Sequence, residues 1–253
     1  MAETAKMKTV LITGAGQGIG RHFARRLAGE GHRIGVLDRR TDAADAVVEE
    51  IEAAGGHAMS LGTDITDDAA VAAAVDCILS RFGSLDVLVN NASVFSTLKM
   101  RPFYEIPVEE WRQVIDVNLT GGFICARHAY QPMRAAGWGR IINIASAVVP
   151  MGRANYLHYV SSKAGVVGMT RAMARELGGF GITVNAILPG AVETEIARET
   201  VTAEQRAAFI AQRSLPRAQV PEDLGGVVSF LISENAGFIT GQSLIVDGGM
   251  IFN

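Results

Sequence analysis

The sequence predicts an α/β fold, a doubly wound parallel sheet covered by helices on both faces in three layers (α/β/α). Three observations predict it. Short, largely β-branched apolar runs recur along the 253 residues, each bounded by Gly, Asp or Asn, as strands buried on both faces are. Longer stretches with helical spacing fill the gaps between them, and that alternation builds βαβ units. A cluster of glycines follows the first run and opens a helix, where an α/β sheet turns sharply.

The elements follow in order. The apolar runs are Thr9–Thr13, Arg33–Leu37, Leu85–Val89, Arg140–Ala145, Ile182–Leu188 and Ser243–Val246. Helical spacing shows in Phe23 and Leu27, and in Val71, Val75, Ile78 and Leu79, which fall on one helix face. Two segments lack a period, Ser93–Pro107 and the one opening at Gly190–Val201. Both follow expected strands, and ligands in open α/β sheets sit beyond the carboxyl ends of strands. They are expected to form substrate loops at about 93–107 and 190–215. With no linker, repeat or low-complexity tract, residues 1–253 are expected to form one catalytic domain.

Composition excludes several classes. Hydrophobic residues make up 49% and charged residues 19%, with a net charge of −3. A core can be buried, and the basic face that a nucleic-acid binder needs is lacking. The densest basic cluster, Arg21, His22, Arg25 and Arg26, has the spacing of a solvated helix flank. Two cysteines, Cys77 and Cys125, lie far apart, so neither a disulfide framework nor a zinc site is indicated. No metal is expected. No signal-peptide or membrane-spanning run is read, so the expected location is cytoplasmic.

The glycine bend reads Thr13-Gly14-Ala15-Gly16-Gln17-Gly18-Ile19-Gly20. Glycines there let the backbone approach a pyrophosphate, which the free N–H groups of the following helix favour. The layout is therefore expected to be Rossmann-like. Asp38 ends the second run, 18 residues after Gly20. A carboxylate at that point accepts hydrogen bonds from an adenosine ribose and repels a 2′-phosphate, which favours NAD over NADP. Arg39 and Arg40 argue the other way, since either can pair with a phosphate. The plain alternative is that all three simply begin a polar loop.

Tyr159 and Lys163 stand four apart in an expected helix and share a face. A free tyrosine titrates near pH ~10, too high for an efficient base, and a neighbouring cation favours the phenolate. The pair alone equally fits an ordinary helix-surface contact. Tyr156 has Val160 at its +4 position and is expected to pack or line a pocket.

With these residues in view, the chain resembles the short-chain dehydrogenase/reductase family from about Lys8 to Gly249. The matching segments occur in the family's order: TGAGQGIG (Thr13–Gly20), Asp38, Asp64 in GTDIT, and NNAS (Asn90–Ser93). Then come Asn118 in DVNLTG, IINIAS ending in Ser146, YVSSK (Tyr159–Lys163), LPG (Leu188–Gly190) followed by Thr194, and VDGG (Val246–Gly249). The 13-residue step from Ser146 to Tyr159 also matches. The resemblance implies that Tyr159 is the general acid/base, that Lys163 depresses its pKa and bonds the nicotinamide ribose, and that Ser146 holds the substrate oxygen. It implies that Asn118 organises a water-linked proton relay. Gly14, Gln17, Gly18, Ile19 and Gly20 would hold the pyrophosphate. Asp64 and Ile65 would meet the adenine, and Asn90 would line the cleft. Pro189, Gly190, Val192 and Thr194 would fix the carboxamide. A homotetramer is also implied, built through the helices around Asn118–Ala135 and Ser161–Leu177 and the C-terminal strand. Each residue keeps a local alternative: Ser146 as a strand-end cap, Asn118 bonded within its helix, Asp64 as a turn or cap.

There are departures. Ser93 replaces the family's glycine, putting a side chain near the expected nicotinamide, and Ala145 replaces a common second serine. The expected substrate walls carry Val94, Phe95, Leu98, Met100, Phe103 and Tyr104, joined by Val148, Pro150, Met151, Tyr156, Ile196, Met250 and Phe252. That lining favours an apolar or aromatic secondary alcohol or ketone, unless it is ordinary loop packing. Lys99, Arg101 and Arg198 would instead suit an acidic substrate. The expected function is hydride transfer between NAD(H) and such an alcohol. The alternatives are a 3-oxoacyl-thioester reductase using NADPH, which the closing GFITGQSLIVDGG also resembles, and a non-catalytic dinucleotide sensor.

Overall fold

A computed structural model describes residues 7–196 and 202–252. It shows a seven-stranded sheet in the order β3-β2-β1-β4-β5-β6-β7, every neighbouring pair parallel. The strands are β1 (Thr9–Thr13), β2 (Arg33–Asp38), β3 (His57–Gly62), β4 (Val87–Asn90), β5 (Gly139–Ile144), β6 (Ile182–Pro189) and β7 (Ser243–Val246). Helices α1 (Gly18–Gly29), α2 (Thr41–Ala53) and α3 (Asp68–Phe82) connect the first four strands. Helices α4 (Val108–Ile115) and α5 (Gly121–Ala136) follow β4, then α6 (Val148–Met151) and α7 (Leu157–Leu177) follow β5. Helices α8 (Ala203–Ala211) and α9 (Glu222–Leu231) precede β7.

The period of two along each strand divides the core. Val10 and Ile12 of β1 join Phe23 and Leu27 of α1, Val47 of α2 and Leu224 and Val228 of α9 in one layer. Leu11, between them, faces the opposite layer with Ile78 of α3, Ile124 and Met133 of α5, and Leu88 and Ile141. Both faces of the strand are apolar because both are covered.

Every expected strand is present, and one strand has no counterpart among the apolar runs. β3 is an edge strand pairing only with β2. It buries just Ala58 and Leu61 and leaves its ends exposed, so its sequence, HAMSLG, carries no continuous apolar signal. The expected loop after Gly190 contains α8, started by a capping box between Thr202 and Gln205. The basic flank of α1 is solvated and paired: Arg21 and Arg25 meet Glu50, Arg26 meets Glu30, and His22 meets Glu222. Cys77 and Cys125 are both free. No helix among the described residues is long and apolar enough to cross a membrane.

The chain runs outward through β1, β2 and β3, then returns to place β4 beside β1. The reversal opens a crevice at the carboxyl ends of β1 and β4, where ligands bind in sheets of this kind.

Candidate active site

At that crevice β1 and β4 are stitched by a threonine. Thr13 Oγ1 accepts the backbone N–H of Asn91 and of Ala92, each at 3.0 Å. Asn91 Nδ2 donates in turn to the Thr13 and Gly14 carbonyls. The two loops lie so close that a Cβ on Gly14, whose φ is +61°, would fall 2.7 Å from Ala92 Cα. A Cβ on Gly20 would run into the Gly14 carbonyl. These two glycines are therefore demanded by close backbone approach.

The bend borders a cleft of about 350 Å³ that runs along the strand ends. Gly14, Gln17 and Ile19 line it, while Gly18 and Gly20 are buried behind. At one end Asp38 is buried, its Oδ2 accepting the Gly16 N–H at 3.1 Å and its Oδ1 the Arg40 N–H at 3.0 Å. Arg40 donates to Gln17 Oε1 at 2.7 Å, and Arg39 is exposed on the same wall. Asp64 and Ile65 complete this end. Asp64 Oδ1 receives both the Thr66 N–H and its hydroxyl, and those bonds hold the carboxyl below its usual range. It is thus a turn residue as well as a wall residue, and the cap of α3 is Asp67.

At the other end, Ser146, Tyr159 and Lys163 line the cleft together with Pro189, Gly190, Val192 and Thr194. Tyr159 and Lys163 share a face of α7, with Nζ 5.7 Å from the phenol ring centroid. Lys163 is 2% exposed and donates to the Ile144 carbonyl at 2.8 Å; burial pushes its pKa down to about 8. Ser146 follows β5 directly, and its Oγ accepts the Val148 N–H at 3.4 Å. Thr194 Oγ1 accepts the Ile196 N–H, and Val192 bridges to Gln219.

Asn118 sits where α4 passes into α5 through a wider, π-helical turn, Asp116–Thr120, a distortion often found at functional sites. Its bonds are tertiary. Oδ1 accepts the Val94 N–H at 2.7 Å, and Nδ2 donates to the Val94 carbonyl and to Ser162 Oγ. Ser162 Oγ donates to the Tyr159 carbonyl. Asn118 and Lys163 also share a cavity of about 10 Å³, close to the space of one water.

One expected position differs. Asn90 lies beneath the cleft wall; its Nδ2 donates to the Gly122 carbonyl of α5 and to Asn143 Oδ1 of β5, and it lines the small cavity of Asn118 and Lys163. β4 ends at Asn90, so alternation turns Asn90 inward and leaves Asn91 on the cleft wall. The expected substrate walls divide likewise. Val94, Phe95, Val148, Met151, Ile196 and Met250 line the cleft, as does Ser93. Tyr156 is buried and lines an adjoining pocket with Phe95. Leu98 packs in a small core with Val114. Met100, Phe103, Tyr104 and Phe252 are exposed, and Pro150 lines a different depression. Arg101 is not on the cleft: it pairs with Glu110, which also meets the buried His158. Lys99 is exposed away from it, and Arg198 lies outside the described residues.

Three features at or beside the cleft have no signal in the sequence. Phe209 on α8 and Arg153 before α7 line the substrate end; neither sits in a motif. Glu195 Oε1 accepts the Gly18 N–H at 2.8 Å and lies 3.6 Å from Arg21. It thus rests on the N-terminus of α1, a place that favours anions. Partial burial pushes this carboxyl up, but the Gly18 N–H and Arg21 outweigh it and hold it below its usual range.

The surfaces a dinucleotide requires are present: a glycine-rich bend, a helix N-terminus behind it, and a fixed carboxylate at the strand end. A family model described as "Enoyl-(Acyl carrier protein) reductase" matches residues 14–251. The chain is 39% identical over 249 residues to a cis-4-hydroxycyclohexanecarboxylate dehydrogenase of Sinomonas cyclohexanicum, covering 98% of each. It is 40% identical over 245 residues to the 3-oxoacyl-[acyl-carrier-protein] reductase FabG of Staphylococcus aureus, covering 96% of this chain and 98% of that one. A 3-oxoacyl-[acyl-carrier protein] reductase of Brucella melitensis, solved with bound NAD, superposes with a TM-score of 0.90 at 31% identity, covering 99% of this chain and 94% of that one. A short-chain dehydrogenase/reductase of Mycobacterium ulcerans superposes at 0.91 with 32% identity, covering 96% and 89%. On sequence and fold together, the chain belongs to the short-chain dehydrogenase/reductase family, oxidoreductases that work between CH–OH and keto groups.

Proposed function

We propose that this protein transfers a hydride between NAD(H) and a secondary alcohol or ketone with an apolar body. The observation that carries the reading is one continuous cleft with Asp38 and the glycine bend at one end and Ser146, Tyr159 and Lys163 at the other. When bound, a nicotinamide supplies or accepts the hydride. The Tyr159 hydroxyl takes the alcohol proton in oxidation and returns it to the carbonyl oxygen in reduction. Ser146 Oγ lies at the same end to hold that oxygen and stabilise its developing charge. Lys163 holds positive charge behind the phenol, and Asn118, across the one-water cavity, helps organise a water-linked proton relay from it. Phe95, tilted against the Tyr159 ring with centroids 4.5 Å apart, keeps water from the phenol face.

For the cofactor, Asp38 supports NAD. Both of its oxygens are oriented by backbone N–H groups and retain lone pairs for ribose hydroxyls. A 2′-phosphate would meet a like charge. The exposed Arg39 on the same wall supports the second reading, reduction of a 3-oxoacyl thioester, the activity named for the Staphylococcus aureus relative, with NADPH as the donor. A non-catalytic sensor is opposed by the complete Ser146, Tyr159 and Lys163 set. The phenylalanine half exposed on α5, Phe123, supports the further reading of a homotetramer, whose mass light scattering reads.

A panel of secondary alcohols, ketones and a 3-oxoacyl thioester, each with NAD and NADP and followed by reduced-cofactor absorbance, tests the proposal. Turnover of an apolar ketone with NADH is expected. Tyr159→Phe is expected to cut kcat by about 10²–10⁴-fold while NADH still binds. Thioester reduction with NADPH alone selects the second reading, and NADH binding without turnover selects the sensor.

A further inference from the structure

Where the loops cover the substrate end, the cleft is lined by apolar side chains, by the hydroxyls of Ser93, Ser96 and Thr97, and by one arginine. Arg153 leaves the turn between α6 and α7 and lines the cleft beside Phe95, Met151 and Phe209. Its guanidinium is stacked between two rings, 4.7 Å from the Phe209 centroid and 5.2 Å from that of Tyr156. Stacking uses the faces of the guanidinium and leaves its in-plane N–H fork free. No carboxylate or carbonyl of the described residues receives that fork. The neighbouring arginines are engaged: Arg206 with Glu193, Arg213 with the Ala191 and Arg217 carbonyls, and Arg101 with Glu110.

The spacing connects this cation to the reacting end. The Tyr159 ring lies 4.5 Å from Phe95, Phe95 lies 5.9 Å from Tyr156, and Tyr156 carries Arg153. Phe95, Tyr159 and Arg153 thus line one cleft, and a substrate that reaches the phenol lies in the same space as the guanidinium. A planar fork beside aromatic walls, with the Glu193 carboxylate of the adjoining pocket already paired to Arg206, forms a carboxylate site.

We propose that Arg153 selects a carboxylate on the substrate, so that the enzyme acts on hydroxy or oxo acids in which an apolar ring or chain separates the reacting carbon from the acid group. This rests on the oxidoreductase reading for its reaction and on Arg153 alone for its substrate class.

Binding and turnover test the two separately. Calorimetric titration of the NADH-loaded protein with cyclohexanecarboxylate and with cyclohexanecarboxamide, which carry no reacting group, reads the site. The acid is expected to bind about tenfold more tightly or better. Arg153→Gln is expected to erase the difference, and Arg153→Lys, which keeps charge without the fork, to retain part of it. The same ratio is expected in kcat/KM for 4-oxocyclohexanecarboxylate over its carboxamide. Equal binding of acid and amide, or an unchanged ratio in both variants, overturns the assignment. Preferred acid binding without reduction of any ketone leaves it standing and counts against the oxidoreductase reading instead.

Discussion

The floor and the roof of the cleft are built by different means. The floor is made of strand ends and α7: Ser146, Tyr159 and Lys163 are each under a tenth exposed, and Lys163 is fastened to a carbonyl of β5. The roof is made of the segments after β4 and β6, where Phe103 is 67% and Leu215 59% exposed. It is held by scattered tethers: Asn118 to Val94, Arg213 to Ala191, and Glu195 to Gly18. Chemistry that tolerates little displacement sits on rigid elements, and recognition sits on loops such a scaffold carries. The teaching is that a floor substitution should act on chemistry or global stability, and a roof substitution on affinity.

The sharpest test is Lys163→Met. The folded-state pKa of Lys163, about 8, lies below the ordinary 10.5 because burial disfavours the charge. Between those values the unfolded chain binds a proton that the folded chain does not, so stability rises with pH across that window and the full penalty stands below it. The methionine variant lacks the penalty. At pH 7 it should be more stable by about 2 kcal/mol, allowing for the lost bond to Ile144, and nearly inactive. Urea unfolding of both proteins at pH 7 and pH 9.5 checks the sign: the gap should narrow at the higher pH. A constant gap would show that Lys163 carries no such cost and that the floor is less tightly closed.

The same division decides what could be read without coordinates. Floor residues sit in fixed registers. Tyr159 and Lys163 are one helical turn apart, and Gly14 and Gly20 are required by backbone contact, so local spacing exposes them. β3 escaped because a half-exposed edge strand needs only two apolar residues. Asn90 was placed on the wall because the end of β4, which sets the alternation, was not legible to one residue. Glu195, Arg153 and Phe209 escaped for another reason. Their neighbours lie far away in sequence, Glu195 meeting Gly18 across 177 positions, and no local pattern encodes such a contact. The walls at Met100, Phe103 and Tyr104 were expected from apolarity alone, which does not distinguish a lining side chain from an exposed one.

Asp38 probes the floor at its cofactor end. Asp38→Asn keeps an acceptor for the Gly16 or Arg40 N–H and removes the charge. The ratio of kcat/KM for NAD over NADP should fall by about tenfold, mostly through KM for NADP. A wild-type protein that already prefers NADP would assign the discriminating role to Arg39.

The smallest effect is expected in the roof, at Glu195. Its carboxylate occupies the helix N-terminus that the proposed pyrophosphate would use, and two anions compete for the same N–H groups. Binding of dinucleotide must therefore displace Glu195, and the Arg21 contact with it. Glu195→Gln preserves the shape and removes the charge. The dissociation constant for NADH, read by fluorescence titration, should drop by about two- to fivefold, consistent with a helix-terminus charge worth 0.3–1 kcal/mol. The gain should shrink as salt is raised. Tyr159-dependent turnover at saturating cofactor should not change, because the floor is untouched. A weaker NADH affinity in the variant would mean that Glu195 supports the bound cofactor, and would erase the contrast between a fixed floor and a displaceable roof.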